Sequence, residues 1–236
     1  MKVSGIVELS TIDYPKHASA VVFLAECNMY CGYCQNYEFI TKNISEMSAK
    51  EVFESMDLMF ADALVISGGE PTLQPEAVKE LCKLAKEKNF PVKLDTNGTN
   101  PEVIKKLVSE KLIDYVALDV KCSFEKYGQI TGYTTKINEK ILEIISACKK
   151  EGIFIECRTT FIPGLMDKLD ITEISKTVKD CDLYSIQKYD SEHAHSEEMQ
   201  KIKPLSDVEM MELGKIAKEH VKNVIVRTFV NEISIK

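Results

Sequence analysis

Seven short apolar runs are spaced along the chain, and stretches of helical periodicity lie between them. The runs are Ala20–Leu24, Ala63–Ser67, Val92–Asp95, Tyr115–Val120, Phe154–Phe161, Leu183–Lys188 and Val224–Phe229. Most are nearly continuous in apolar residues, as strands buried on both faces of a parallel sheet are. The intervening stretches carry helix start signals. Ser48 and Glu51 form a capping box ahead of Val52, Phe53, Met56, Met59 and Phe60, and Ser206 and Glu209 form another ahead of Met210 and Leu213. Pro75 and Pro101 suit first turns, Pro101 with Asn100 as its cap. Further helices are expected over about 137–150 and 172–179. Strand–helix alternation of this kind predicts α/β with a parallel sheet. Six or seven units in 236 residues fall short of an eightfold barrel, so an incomplete, open parallel β/α barrel of about six βα units is expected. A doubly wound open sheet is the alternative. The whole chain, 1–236, reads as one domain with its core over about 15–230. In either fold, ligands gather where strands end.

Composition narrows the function. A net charge of −7 argues against a sequence-independent grip on nucleic acid, which needs many phosphate-neutralising cations. No apolar run approaches the roughly 18–20 residues that span a membrane, and the segment MKVSGIVELS lacks the apolar stretch of a signal peptide, so the cytoplasm is expected. Eight cysteines without an export signal do not read as a disulfide framework. Cys82, Cys122, Cys148, Cys157 and Cys181 are scattered and read as small buried hydrophobes. So many unpaired thiols also suit a reducing, anaerobic cell.

The other three cysteines fall together in Cys27-Asn-Met-Tyr-Cys31-Gly-Tyr-Cys34, directly after the first apolar run. Thiolates ligate iron–sulfur clusters, and a closed [4Fe–4S] site uses four of them. A compact set of three leaves one iron open, which is what separates a catalytic metal site from a structural one. A zinc site, with a distant fourth ligand such as Cys122 or His193, is the alternative that spacing leaves standing. Ser67-Gly68-Gly69-Glu70-Pro71 ends the second run; its glycines let a ligand approach the backbone, or simply make the turn an α/β unit needs. Asp95-Thr96-Asn97-Gly98 ends the third, with Asn97-Gly98 as turn residues. Leu118-Asp119-Val120-Lys121 ends the fourth; Asp119 and Lys121 share a side and either grip a ligand or pair with each other. All four motifs fall at strand C-terminal ends, one strand after another.

Together these residues resemble the radical S-adenosylmethionine (SAM) enzymes. CNMYCGYC looks like their Cys-x3-Cys-x2-Cys cluster loop and SGGEPT like their glycine-rich motif. More narrowly, the chain resembles the activating enzymes of glycyl radical enzymes, in particular those of anaerobic ribonucleotide reductase and pyruvate formate-lyase. Leu9–Pro15 (LSTIDYP), DTNG, LDVK and Phe161–Asp167 (FIPGLMD) carry that likeness, which extends over about residues 5–190. The resemblance implies a [4Fe–4S] cluster on Cys27, Cys31 and Cys34, with SAM chelating the open iron. It places Tyr33 near the adenine, with Cys34 and Gln35 beside the cofactor. Gly68 and Gly69 meet the methionine amino group, Glu70 supports their turn, and Asp119 and Lys121 contact the ribose and carboxylate side. A monovalent cation held by Asp95, Thr96 and Asp119 is a further implication. The implied reaction is reductive cleavage of SAM and formation of a glycyl radical on a partner enzyme, with flavodoxin or ferredoxin as electron donor. Two positions depart from the pyruvate formate-lyase type: Gln35 stands where it has His, and Asp190, with His193 and His195 nearby, stands where it has a SAM-contacting His. A radical SAM enzyme acting on a small molecule and a non-catalytic metal-binding module are the rival readings.

Overall fold

The computed structural model describes residues 1–42 and 44–236. Among the described residues ten strands make one sheet. They are β1 (Lys2–Ser10), β2 (Ser19–Leu24), β3 (Ser45–Glu46), β4 (Ala63–Gly68), β5 (Val92–Thr96), β6 (Tyr115–Asp119), β7 (Phe154–Phe161), β8 (Leu183–Lys188), β9 (Val224–Arg227) and β10 (Glu232–Ile235). The strand order is β10-β9-β8-β7-β6-β5-β4-β2-β1-β3. From β2 to β9 every pairing is parallel, while β1, β3 and β10 pair antiparallel at the two edges. The sheet does not close, and the expected open α/β barrel is what forms. Helices follow six of the parallel strands: α1 (Tyr37–Thr41) and α2 (Ala49–Ser55) after β2, then α3 (Pro75–Glu87), α4 (Pro101–Ser109), α5 (Tyr127–Thr131) with α6 (Ile137–Glu151), α7 (Lys168–Thr177), and α8 (Glu197–Gln200) with α9 (Asp207–Lys218).

Alternation along the strands builds two apolar layers. Val22, Leu24, Leu64, Ile66, Leu94, Val116, Leu118 and Ile155 face outward and bury against Leu81, Ile104, Ile141 and Ile144 of the helices. Their neighbours Val21, Val65, Tyr115 and Ala117, with Tyr14 from the β1–β2 connection, form a separate cluster inside the barrel. That inner cluster plugs one end, so the strands' C-terminal ends carry the opening. The five scattered cysteines are all buried, as small hydrophobes are.

The expected capping boxes are present: Ser48 and Glu51 bond reciprocally, as do Ser206 and Glu209. The helix from Ser48 is shorter than its periodicity implies. It stops at Ser55, and Met59 and Phe60 are exposed rather than packed. The helix expected from 172 begins at Lys168, because Asp167 caps it, accepting from the N–H groups of Leu169 and Asp170. Asn100 precedes α4 but its amide donates to Thr72 Oγ1 (3.0 Å) instead of capping. The antiparallel strands β1 and β10 were not legible as strands. In β1 a register shift between Val3 and Gly5 breaks the alternation, and most of its side chains are exposed or half-buried.

Candidate active site

The segments leaving β2, β4, β5 and β6 meet around one cavity of about 820 Å³ at the open end of the barrel. Its wall includes Cys27, Cys31, Tyr33, Cys34, Gln35, Gly68, Gly69, Asp95, Thr96, Asp119 and Lys121. The motifs predicted from separate strand ends are thus brought together. Glu70 is the exception. It is fully buried behind the wall, where its carboxylate accepts from Thr72 N–H (3.0 Å), Thr96 Oγ1 (2.9 Å), Asn97 N–H (2.6 Å) and the Thr72 hydroxyl. Glu70 therefore ties the β4 turn to the β5 turn and does not face a ligand.

The cysteine loop is held by its backbone. Glu26 takes a left-handed φ of 72° and turns the chain out of β2. Gly69 N–H donates to the Leu24 carbonyl (3.0 Å) and Glu70 N–H to the Glu26 carbonyl (2.9 Å). This gives the two glycines a reason other than ligand approach. A Cβ at Gly69 would sit 1.9 Å from the Glu26 carbonyl oxygen, and one at Gly68, where φ is 127°, 2.1 Å from that of Leu24. Gly69→Ala is therefore expected to cost about 3 kcal/mol in urea unfolding, by overpacking against backbone that has nowhere to go. Iron loading of the variant should fall with it.

All three loop thiols face the cavity. Burial pushes the Cys31 thiol up to about 11 against the pull of Lys121, and raises Cys27 and Cys34 as well. As free thiols they are protonated near neutral pH and poor nucleophiles. Among the described residues no three His, Cys, Asp or Glu side chains converge as a single metal ion requires. Neither Cys122 nor His193, the conceivable fourth zinc ligands, lines the cavity. Three thiols on one cavity wall are the donor set that an iron–sulfur cluster with one open iron takes. The Tyr33 hydroxyl is buried behind the wall, close to the Cys31 thiol.

Beneath the thiols the barrel holds a layer of charge. Arg158 of β7 lies between two carboxylates, with Nε 2.8 Å from Asp119 and Nη1 3.4 Å from Asp95. Lys121 also pairs with Asp119 (2.7 Å) and Lys93 with Asp95 (2.5 Å). Burial alone would raise the Asp119 pKa, but Arg158 and Lys121 overcome it and hold the carboxyl at about 2. One level lower, Glu156 accepts from Arg227 (2.6 Å), Tyr115 (2.8 Å) and Ser185. The two carboxylates expected to hold a monovalent cation are thus already neutralised by the chain's own cations. Lys93, Glu156, Arg158 and Arg227 belong to no motif of the sequence. For three of them the signal is charge at alternate strand positions, Lys93 with Asp95 in β5 and Glu156 with Arg158 in β7; Arg227, alone at the end of β9, carries none.

The segment around Asp190 lies elsewhere. Asp190 pairs with His193 (2.7 Å), His195 stacks on Tyr37 with ring centroids 3.6 Å apart, and none of the three lines the cavity. Ser196 N–H donates to the Gly32 carbonyl (2.9 Å), so the segment straps the outside of the cysteine loop.

A partial parallel barrel with three thiols at its strand ends defines a class, and residues 21–181 match the radical SAM superfamily. The chain belongs to that superfamily. It is 56% identical over 229 residues, 96% of this chain and 95% of the other, to a Methanocaldococcus jannaschii protein provisionally named as a glycyl-radical enzyme activating enzyme. It is 32% identical over 213 residues to the pyruvate formate-lyase-activating enzyme of Streptococcus mutans, covering 80% of this chain and 78% of that one. Among solved structures, Streptococcus suis SuiB bound to the precursor peptide SuiA has a similar fold, with a TM-score of 0.68 at 15% identity, over 88% of this chain and 48% of that one. The chain thus spans about half the length of SuiB.

Proposed function

We propose that this protein, acting as one unit in the cytoplasm, uses a [4Fe–4S] cluster and SAM to generate a glycyl radical on a partner enzyme of the anaerobic ribonucleotide reductase type or a relative of it. Flavodoxin or ferredoxin supplies the electron. The observation that carries the protein-substrate reading is where the cavity runs. Ile12 and Asp13, in the β1–β2 connection, line it together with Arg227 and Thr228 at the end of β9. It therefore reaches both sides of the unclosed sheet, and an extended segment of another chain has a way in. The near full-length likeness to activating enzymes supports the same reading.

Cys27, Cys31 and Cys34 hold the cluster, and the cavity volume is of the size that small-molecule cofactors occupy. When bound, cluster and SAM together supply an electron-driven break of the S–C5′ bond and a 5′-deoxyadenosyl radical able to take hydrogen from glycine. The chain's own residues position and shield. Lys121, held at its far side by Asp119, presents an ammonium group for the SAM carboxylate. Gly68 and Gly69 keep the wall flat beside Cys27, and Tyr33 lines it between Cys31 and Cys34. The small-molecule alternative needs a closed pocket, yet the segment that could close it, Asp190–Glu198, packs over the cysteine loop instead.

Anaerobic incubation with SAM, dithionite and candidate glycyl radical enzymes tests this. A glycyl doublet in the EPR spectrum of the partner is the expected result. Formation of 5′-deoxyadenosine without activation of any partner would transfer the assignment to the small-molecule reading.

A further inference from the structure

Asn97 has a use beyond the turn its sequence announces. Its side chain is buried, and its amide orientation is fixed by its neighbours. Oδ1 accepts from the backbone N–H of Thr99 (3.1 Å) and from Thr99 Oγ1 (2.8 Å). A backbone N–H can only donate, so the atom facing it is the oxygen and the amide nitrogen points the other way. That nitrogen donates to Asn28 Oδ1 at 2.9 Å and lies 3.9 Å from the Cys27 sulfur. Asn28 closes the ring by donating from Nδ2 to Thr99 Oγ1 (2.8 Å), and Lys140 anchors the Thr99 carbonyl from α6 (2.8 Å). The Met29 N–H also reaches the same sulfur, at 3.4 Å. The amide hydrogen facing Cys27 would otherwise lack a partner in a buried site, which is costly.

We infer that Asn97, held by the Asn28–Thr99 ring, is a positioning residue that donates a hydrogen bond to the Cys27 thiolate and raises the reduction potential of the cluster. Reduction from the 2+ to the 1+ state adds one negative charge shared over iron and sulfur. A donor aimed at a ligand sulfur stabilises that added charge, and hydrogen bonds to sulfur are among the levers that set such potentials. The ring connects the loop after β5 to the first ligand of the loop after β2, so the donor is placed by the fold rather than by the cysteine loop alone. This rests on the cluster reading above, and the two fail differently. If the parent protein takes up no iron and sulfide, that reading falls; if it loads normally, the inference stands or falls on the potentials.

The test is an EPR-monitored redox titration of the reconstituted protein without SAM, with dithionite as the electron source. In Asn97→Ala the reduced-to-oxidised ratio at a fixed solution potential should fall about tenfold, which is a midpoint lower by about 59 mV for one electron. Asn97→Asp keeps the oxygen that Thr99 needs but sets a second oxygen against the sulfur, and should lower the midpoint at least as far. Asn28→Ala leaves the donor in place and loosens only its holder, so less than half the shift is expected. An unchanged midpoint in a fully loaded Asn97→Ala protein overturns the inference. So does an equal shift in Asn28→Ala, which would mark general loosening of the loop. Failure of both Asn97 variants to load while Asn28→Ala loads normally also overturns it, in favour of a purely structural role.

Discussion

Cys31→Ala protein, reconstituted anaerobically with iron and sulfide, should hold only a small fraction of the iron bound by the parent, and its SAM cleavage should fall by more than about a hundredfold. Loss of an outer-shell partner of a metal ligand already costs 10–100-fold in affinity or activity, and loss of the ligand itself costs more. Cys31 is the most buried of the three loop cysteines and lines the cavity between Cys27 and Cys34, so its thiol is the central donor of the set. The apoprotein of the same variant should unfold at nearly the parent's urea midpoint. Cys31 lies in a loop on the cavity rim, and its backbone contribution, the carbonyl that accepts from Cys34 N–H (3.0 Å), survives the change. Cys82→Ala should behave in the opposite way. Cys82 packs in α3 against the helix side of the sheet with no surface exposed, so its truncation leaves a small cavity, costing about 1–2 kcal/mol, and leaves iron content untouched. Iron analysis and urea unfolding of the two variants side by side separate a ligand from a core thiol. Equal iron loss in both would undo the distinction between clustered and scattered cysteines.

The grouping of the cysteines is legible in the sequence because spacing is local, and the structure sets the clustered three on the cavity wall and the scattered five in the core. Most of the parallel sheet is legible as well. β7 and β8 have the bounds that were expected of them, and β2, β4 and β6, nearly continuous in apolar residues, carry the clearest signature of strands covered on both faces. What sequence reading misses here is whatever depends on a partner far along the chain. β10 is only four residues, Glu-Ile-Ser-Ile, and buries Ile235 alone; too short to stand out, it is a strand because β9 offers it an edge. One reason for Gly69 lies in the Glu26 carbonyl, 43 residues earlier, which the glycine pair in the sequence does not reveal. Asn97 reads as a turn residue; the amide's second role appears only when Cys27 and Asn28 arrive beside it. Lys121 illustrates a case that sequence left balanced. Its pairing with Asp119 is present, and the same ammonium still lines the cavity, so the two readings were not exclusive.

Arg158→Met should destabilise the protein by about 3 kcal/mol at pH 7, more than any substitution of a surface charge. Removing one member of a buried ionic group leaves the others uncompensated, at a typical cost of 3–5 kcal/mol. Here Asp95 retains Lys93 and Asp119 retains Lys121, which places the loss at the lower end. The effect must also depend on pH in a definite direction. Asp119 has a folded pKa of about 2 against its ordinary 3.8. A carboxyl depressed in this way adds stability that is fully present above the unfolded value and is lost as pH falls through the folded one. Asp95 is lowered as well, against the pull of burial and chiefly by Arg158, so both carboxylates act in the same sense. The gap in unfolding free energy between parent and Arg158→Met should therefore be constant above about pH 5 and narrow as pH drops from about 4 towards 2. Urea unfolding at a series of pH values measures it. Arg158→Lys keeps the charge but not the flat fork that reaches two carboxylates at once, and should recover only part of the loss. A gap that stays the same down to pH 2 would mean that Arg158 stabilises the barrel by packing of its stem, and that the charge layer under the thiols is incidental to stability.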